Sequence, residues 1–406
     1  MYSQAQNMDT RAGDRVILRS EIEAVQTVPP SKITAPRKVR QVSWSPAAAM
    51  GSDNVWGYWG GCFHMVLYYK KHHLGVSGED SGSIHAGWIK ESLATALSHQ
   101  PLLSGRLQKS ERSILENGDG DEEGEVVHEI VANDAGARLI EARLPVTISE
   151  FLLDLDSSSK SYSSKKEAEL VFWKDVDETD PRFCPLFYVQ VTKFVCGGYS
   201  FGISCSLLLV DLLFKENFLK KWADIHKNLV SKERPLFYLP NIKYTPASDI
   251  TDVISSRASQ DSGQTIIFNV TYSNEDNPSI TTTLALLCVE EAGNKLGTKM
   301  DLEFSLSYHS YVKEPSKNNM VMKLEKCSKY DQLASKKNLS LKNRINNASW
   351  DDFGTKELEF RNGNEPLSVS NWIGSVTKRF VVTIPYYYDN HGNISGVKVI
   401  VKMDSK

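Results

Sequence analysis

The sequence lacks the residue patterns of metal-binding and disulfide-rich proteins. It has six cysteines in 406 residues, but no two of them form a Cys-x-x-Cys pair, and its nine histidines do not cluster with them. Zinc sites and disulfide frameworks need close, regular spacings, so we expect no bound metal and no disulfide scaffold. Widely spaced thiols are instead typical of a reduced, cytoplasmic protein.

Long hydrophobic runs and an excess of either charge are also missing. No run approaches the roughly 18 uncharged apolar residues of a membrane span, and Met1–Asp14 lacks the apolar core that a secretory signal needs. The net charge is −3, which gives no electrostatic reason to expect a nucleic-acid partner. We therefore expect a cytoplasmic protein, and we take it to be a monomer.

The length of the chain predicts two domains, because 406 residues are too many for one ordinary core. Residues 235–264 contain three prolines and then a Ser/Asp-rich stretch, which is typical of a linker. We predict an N-terminal domain over residues 1–234, a crossover linker over 235–264 and a C-terminal domain over 265–406.

Alternating helical and strand patterns predict a mixed α/β fold. Apolar residues recur at helical spacing over 88–98, and residues 186–205 have the pattern of a β-hairpin. The aromatic run 56–69 fits a buried strand better than a pocket lining. We interpret the Ser/Lys-rich segment 157–166 as a mobile loop, and the lysine-rich segment 323–346 as a solvated polar stretch.

The most informative segment is Phe201–Asp211, which reads Phe-Gly-Ile-Ser-Cys-Ser-Leu-Leu-Leu-Val-Asp. It resembles the active-site segment of the plant BAHD acyltransferases, in which His-x-x-x-Asp ends a buried strand. Four further stretches resemble the family in the same order along the chain: 92–107, which ends in Ser-Gly-Arg-Leu, then 185–198, Thr283–Ala292 and Asp352-Phe353-Gly354. The ordered set is similar to the family over most of the chain.

The resemblance implies two chloramphenicol-acetyltransferase-like domains, each a mixed sheet with helices, and a channel between them. It also implies the ligands. An acyl-CoA, as a co-substrate and not a permanently bound cofactor, and a small-molecule acceptor would enter the channel from opposite ends.

The chain departs from the family pattern at the position that carries the chemistry. Asp211 is present, but Leu207 stands where the catalytic histidine is expected. Thr355-Lys356 replace the family's Trp-Gly. The arginine that pairs with the aspartate is expected near 308–310, which contains none, and the segment 319–352 is shorter than in the family. These differences predict altered catalysis and a shortened C-terminal domain.

The missing histidine removes the general base of the family mechanism. Imidazole suits that role because it titrates near neutral pH, whereas leucine cannot bind a proton. Cys205 and His309 are the candidate substitutes, and the competing interpretations are a small buried apolar residue and a surface or packed histidine. The resemblance gives Asp211 a structural role, here with Lys313 or a backbone amide as its partner. The Asp-Phe-Gly motif is interpreted as a turn distant from the chemistry: Asp352, Phe353 and Gly354.

Three functions remain open at this point. The first is an acyl-CoA-dependent acyltransferase that is impaired or uses a non-standard base, with an alcohol or amine of plant metabolism as acceptor. The second is a non-catalytic member, because the hairpin Phe183–Gly202 is similar to that of eceriferum-type proteins. That group is associated with very-long-chain fatty acid elongation, so its partner would be a condensing enzyme and it would associate peripherally with the endoplasmic reticulum. The third is a recruited, CoA-independent lyase.

Overall fold

A computed structural model describes most of the chain. The described residues are 18–44, 61–71, 82–109, 126–177, 179–214, 217–230, 264–271, 278–297, 303–314, 317–328, 341–374, 380–388 and 394–403. Among them, no helix is long and apolar enough to cross a membrane.

The described elements alternate between strands and helices. The strands are β1 (Glu21–Val28), β2 (Val39–Trp44), β3 (Cys62–Tyr69), β4 (Arg106–Lys109), β5 (Val126–Val131), β6 (Ala137–Leu144), β7 (Phe187–Phe194), β8 (Tyr199–Ser206), β9 (Gln264–Thr271), β10 (Glu303–Glu314), β11 (Lys317–Ser328), β12 (Ile345–Ala348), β13 (Ser368–Gly374), β14 (Phe380–Tyr388) and β15 (Ile394–Met403). The α-helices are α1 (Gly82–His99), α2 (Ile148–Ser157), α3 (Lys160–Ala168), α4 (Val210–Phe214), α5 (Phe218–Val230) and α6 (Pro278–Leu296).

These strands form two mixed sheets, which confirms the predicted mixed α/β class. The six-stranded sheet has the order β1-β6-β7-β8-β3-β13, and only β6 and β7 run parallel in it. The nine-stranded sheet has the order β12-β9-β15-β14-β10-β11-β2-β5-β4. Its parallel pairs are β10 with β14 and β11 with β2. The predicted hairpin 186–205 is present as β7 and β8.

Each half of the chain contributes strands to the sheet that is built mainly from the other half. β2, β4 and β5 lie in the nine-stranded sheet, whereas β13 closes one edge of the six-stranded sheet. The predicted linker 235–264 lies outside the described residues except for Gln264, which begins β9. The proposed domain boundaries therefore stay a prediction, and the two sheets exchange strands across them.

Three hydrophobic clusters fill the space around the sheets. The largest cluster contains side chains from both sheets and from α1, α4 and α5. A second packs α6 onto the nine-stranded sheet, and a third packs α2 and α3 onto the six-stranded sheet. The layers thus place α4, which carries Asp211, in the core that both sheets share.

One expectation about a polar segment was wrong. The segment 157–166 is the end of α2 and most of α3, because the Ser159 side chain caps α3 by accepting from the Tyr162 amide. Lys166 is buried there against Asp154 at 2.6 Å. The lysine-rich segment 323–346 begins within strand β11, where Lys326 is exposed while the apolar side chains of Leu324 and Cys327 are buried.

Candidate active site

The site lies where β8 ends in the core between the two sheets. β8 is flanked by β7 and β3, and each of its side chains is buried. A tight turn over 207–209 follows Ser206 and leads into α4. The Leu207 amide donates to the Gly61 carbonyl at 3.1 Å, and the Leu209 amide donates to the Ser206 carbonyl at 2.9 Å. These hydrogen bonds fix the turn to the neighbouring strand, so the positions of residues 207–211 are set by the sheet.

Leu207 is completely buried in the shared core. The residues that follow it in the turn, Leu208 and Leu209, are equally buried and belong to the same cluster. The turn therefore presents only apolar side chains and backbone groups. No residue from 207 to 209 can accept a proton from a substrate.

Asp211 forms a bidentate ion pair with Arg40. The Arg40 guanidinium donates to both carboxylate oxygens, at 2.5 Å and 2.8 Å, and its Nη1 also donates to the Leu208 carbonyl at 3.0 Å. Asp211 has no exposed surface and Arg40 is 6% exposed. Burial alone would raise the pKa of Asp211, but the Arg40 charge and the neighbouring His309 outweigh burial, and the pKa is held well below its usual value.

The structure gives Asp211 a partner that was not predicted, because Arg40 supplies the guanidinium from β2. The side chain of Lys313, one of the predicted partners, lies outside those that the structure describes. Arg40 was not predicted, because the arginine was expected near residues 308–310. One signal in the sequence could have identified Arg40. It lies two residues before Val42 and therefore on the same, buried face of the strand, where a charged residue needs a partner.

His309 reaches the same carboxylate from β10. Its Nε2 lies 3.6 Å from Asp211 Oδ1, and its side chain is 2% exposed. The sheet register explains the approach. His309 is opposite Met322 on β11, and Met322 is opposite Val42 on β2, two residues from Arg40. Laterally paired residues share a sheet face, so Arg40 and His309 project together towards α4.

Cys205 does not have the surroundings of a nucleophile. It is fully buried on the core face of β8, and burial raises the pKa of its thiol well above the usual value, with the Asp211 charge adding to the effect. The nucleophilic form of cysteine is the thiolate, which this environment disfavours. The Arg40 charge acts in the opposite direction but is the smallest of the three contributions.

The Asp-Phe-Gly segment forms a turn that packs on α4. Asp352 accepts from the Ser349 amide at 2.7 Å, and Gly354 has a φ of 69°, which glycine adopts without strain. The Phe353 ring lies 4.5 Å from the Phe214 ring, and Lys398 Nζ lies 4.9 Å from the Phe353 ring centre. The structure thus brings this turn to the far end of α4 from Leu207 and gives it no contact with Asp211 among the described contacts.

No group of three or more potential metal ligands occurs among the described residues. What the site does contain is a buried carboxylate that is held by a guanidinium and approached by an imidazole. Asp211 thus lies in a polar cluster within the core that both sheets share, while Leu207 stands among apolar side chains at the other end of the turn.

Comparison with known proteins shows which family the chain resembles. Residues 77–276 match the family described as "Transferase family". Taxadien-5-alpha-ol O-acetyltransferase from Taxus chinensis is 32% identical over 178 residues, which is 44% of this chain and 35% of that protein. Protein ECERIFERUM 2 from Arabidopsis thaliana is 29% identical over 126 residues, which is 31% of this chain and 28% of that protein. The chain resembles this transferase family, that of the plant BAHD acyltransferases, over just under half of its length.

The matches are partial. The two relatives above are matched over about a third of their length, and an N-malonyltransferase from Strychnos nux-vomica is matched at 24% identity over 64% of this chain and 54% of that protein. Among solved structures, vinorine synthase superposes with a TM-score of 0.44 at 12% identity, with 95% of each chain covered.

Proposed function

We propose that this protein is an acyltransferase-like member of the BAHD family whose catalysis is impaired or non-standard. Its nominal reaction would transfer an acyl group from a CoA thioester to a hydroxyl or amine of a plant metabolite. The observation that carries the proposal is the contrast between two neighbouring positions. Asp211 keeps a buried arginine partner, whereas Leu207, at the position of the base, is an apolar core residue.

The chemical consequence follows from the need for a base. An acceptor hydroxyl attacks a thioester slowly unless its proton is removed as the new bond forms, and a positioned base contributes about 10²–10⁴ in rate. The retained ion pair still shapes the turn that follows β8. We therefore infer that the backbone structure of the site is retained and that the proton-transfer step is the part of the reaction that is slowed.

Calorimetric titration with acetyl-CoA, a hydroxycinnamoyl-CoA and a very-long-chain acyl-CoA tests the proposal first. We expect binding of micromolar affinity to at least one of them, with transfer to simple alcohols or amines far below that of a family enzyme. A folded sample that binds none of them would refute the CoA-dependent function. Rapid transfer, comparable to a histidine-containing member, would refute the impairment.

The variant Leu207→His tests the position itself. If this residue occupies the site of the base, restoring imidazole should raise transfer by about 10² or more. Leu209→His is the matched control, because it places imidazole in the same buried turn two residues away. Equal gains in both variants, or none in Leu207→His despite retained acyl-CoA binding, would show that position 207 is not where the base acts.

A second candidate function is supported by the similarity to Protein ECERIFERUM 2. In this proposal the protein is a non-catalytic accessory of very-long-chain fatty acid elongation, cytoplasmic and associated with the endoplasmic reticulum through a condensing enzyme. Co-expression with a plant condensing enzyme in yeast would then lengthen the fatty acids produced, and Leu207→His would not alter the effect. Unchanged chain lengths and no co-purification would refute it.

A further inference from the structure

The face of β10 that looks into the shared core carries two polar side chains with no hydrogen-bond partner among the described residues. They are the hydroxyl of Ser307 and both ring nitrogens of His309, two residues apart on one strand. Ser307 is fully buried, and the His309 side chain is 2% exposed. Buried polar groups normally have hydrogen-bond partners. Two buried polar side chains without such partners on one face therefore indicate a place where a polar group of a ligand can bind.

His309 also has an orienting carboxylate. Its Nε2 faces Asp211 Oδ1 at 3.6 Å, slightly beyond hydrogen-bond distance. When one ring nitrogen of a histidine is directed at a carboxylate, the other nitrogen is available to exchange protons with the substrate. Such contacts are often long without substrate and shorten in the reacting complex. Nδ1 of His309 is the nitrogen left for that exchange.

We propose that His309 is the general base of this protein, supplied from β10 in place of the side chain that Leu207 cannot provide. The proposal rests on the acyl-CoA-dependent function proposed above. Neutral His309 accepts the proton of the acceptor hydroxyl at Nδ1 as the oxygen bonds to the thioester carbonyl carbon. The C–S bond then breaks, and the departing thiolate of CoA takes the proton from the imidazolium. The products are an ester and free CoA, and the imidazole is regenerated.

The groups around His309 are placed to stabilise the imidazolium that forms during the reaction. Asp211 on α4 lies against Nε2 and would stabilise the imidazolium that forms, while Arg40 on β2 neutralises Asp211 when His309 is uncharged. Among the described residues, Cys205 on β8 also interacts with this carboxylate, and burial raises the pKa of its thiol well above the usual value. Because only neutral imidazole accepts a proton, turnover should fall as the pH is lowered.

The test uses the full chain with the acyl-CoA that binds in the calorimetric titration, and either water or a simple alcohol as acceptor. CoA release is measured from pH 5 to pH 9. We expect His309→Gln to lower turnover by about 10² or more and to flatten the pH profile, with acyl-CoA binding retained. Tyr308→Phe is the matched control, because it alters the same strand on the opposite face, where the tyrosine hydroxyl bonds Glu325 at 2.6 Å. It should retain the wild-type rate and profile.

The double variant Leu207→His/His309→Gln separates a lost base from a lost fold. Recovery of turnover in it would show that His309→Gln is folded and lacks only a proton acceptor. Wild-type turnover or an unchanged pH profile in His309→Gln would overturn the assignment. The assignment of His309 would also be overturned if the wild-type protein bound acyl-CoA but released no CoA above background. That result would still be compatible with the proposed impaired acyltransferase. A folded protein that binds no acyl-CoA would overturn both.

Discussion

Arg40 and Asp211 join the two sheets through one buried bidentate ion pair. Arg40 lies on β2 of the nine-stranded sheet, and Asp211 lies on α4, directly after β8 of the six-stranded sheet. The two residues are separated by 171 positions in the sequence. Arg40 also binds the Leu208 carbonyl, so one guanidinium fixes both the turn after β8 and the helix that follows it.

Breaking this pair should cost far more stability than breaking an exposed one. Arg40→Met leaves the Asp211 carboxylate buried without its counter-ion, and we expect the free energy of unfolding to fall by about 3–5 kcal/mol. Arg143→Met is the control, because Arg143 and Glu21 form an ion pair in which both side chains are 56% exposed. That change should cost at most about 1 kcal/mol. Urea unfolding of both variants measures the difference, and equal losses would contradict a stabilising role for the buried pair.

The same pair should make the protein sensitive to acid. The pKa of Asp211 is lowered in the folded state, so its contribution to stability is complete above the unfolded-state pKa of about 3.9 and is lost as the pH falls below that value. In Asp211→Asn this loss cannot occur. We therefore expect the stability of the wild type to decline more steeply than that of Asp211→Asn between about pH 5 and pH 2. Parallel curves in urea titrations at several pH values would refute the prediction.

Local sequence patterns predicted the helices and strands whose formation is determined by the residues within them. The hairpin β7–β8 and helix α1 show the strand and helix periodicities that their burial requires. Helix α2 was missed even though the Thr147-x-x-Glu150 capping box, a recognisable signal, precedes its apolar residues. Here the information was in the sequence, and the Ser-rich composition that follows α2 obscured it.

Non-local contacts could not be predicted in this way. The exchange of β2 and β13 between sheets depends on pairings with strands far away in the chain, which periodicity does not encode. The approach of His309 to Asp211 depends on the same register. The sequence therefore located the turn with Leu207 and Asp211, and the structure was needed to find which side chains face it.

A single glycine of β8 should also be sensitive to substitution. A methyl group added at Gly202 would lie 1.8 Å from the Leu170 carbonyl oxygen, which is backbone and cannot rotate away. The segment after α3 crosses the sheet at this point, where the Gln190 side chain also donates to the Glu169 carbonyl at 2.9 Å. Gly202→Ala must therefore displace this segment, and we expect a loss of about 1–3 kcal/mol or more in the free energy of unfolding.

Ser200→Ala provides the control for that measurement, because Ser200 lies on the same strand and face and its buried hydroxyl has no partner among the described residues. Its removal should change stability by less than about 1 kcal/mol in either direction, since no hydrogen bond is lost. Urea unfolding of the two variants compares them directly. If Gly202→Ala were as stable as Ser200→Ala, the close passage of Leu170 over β8 would not exist in solution.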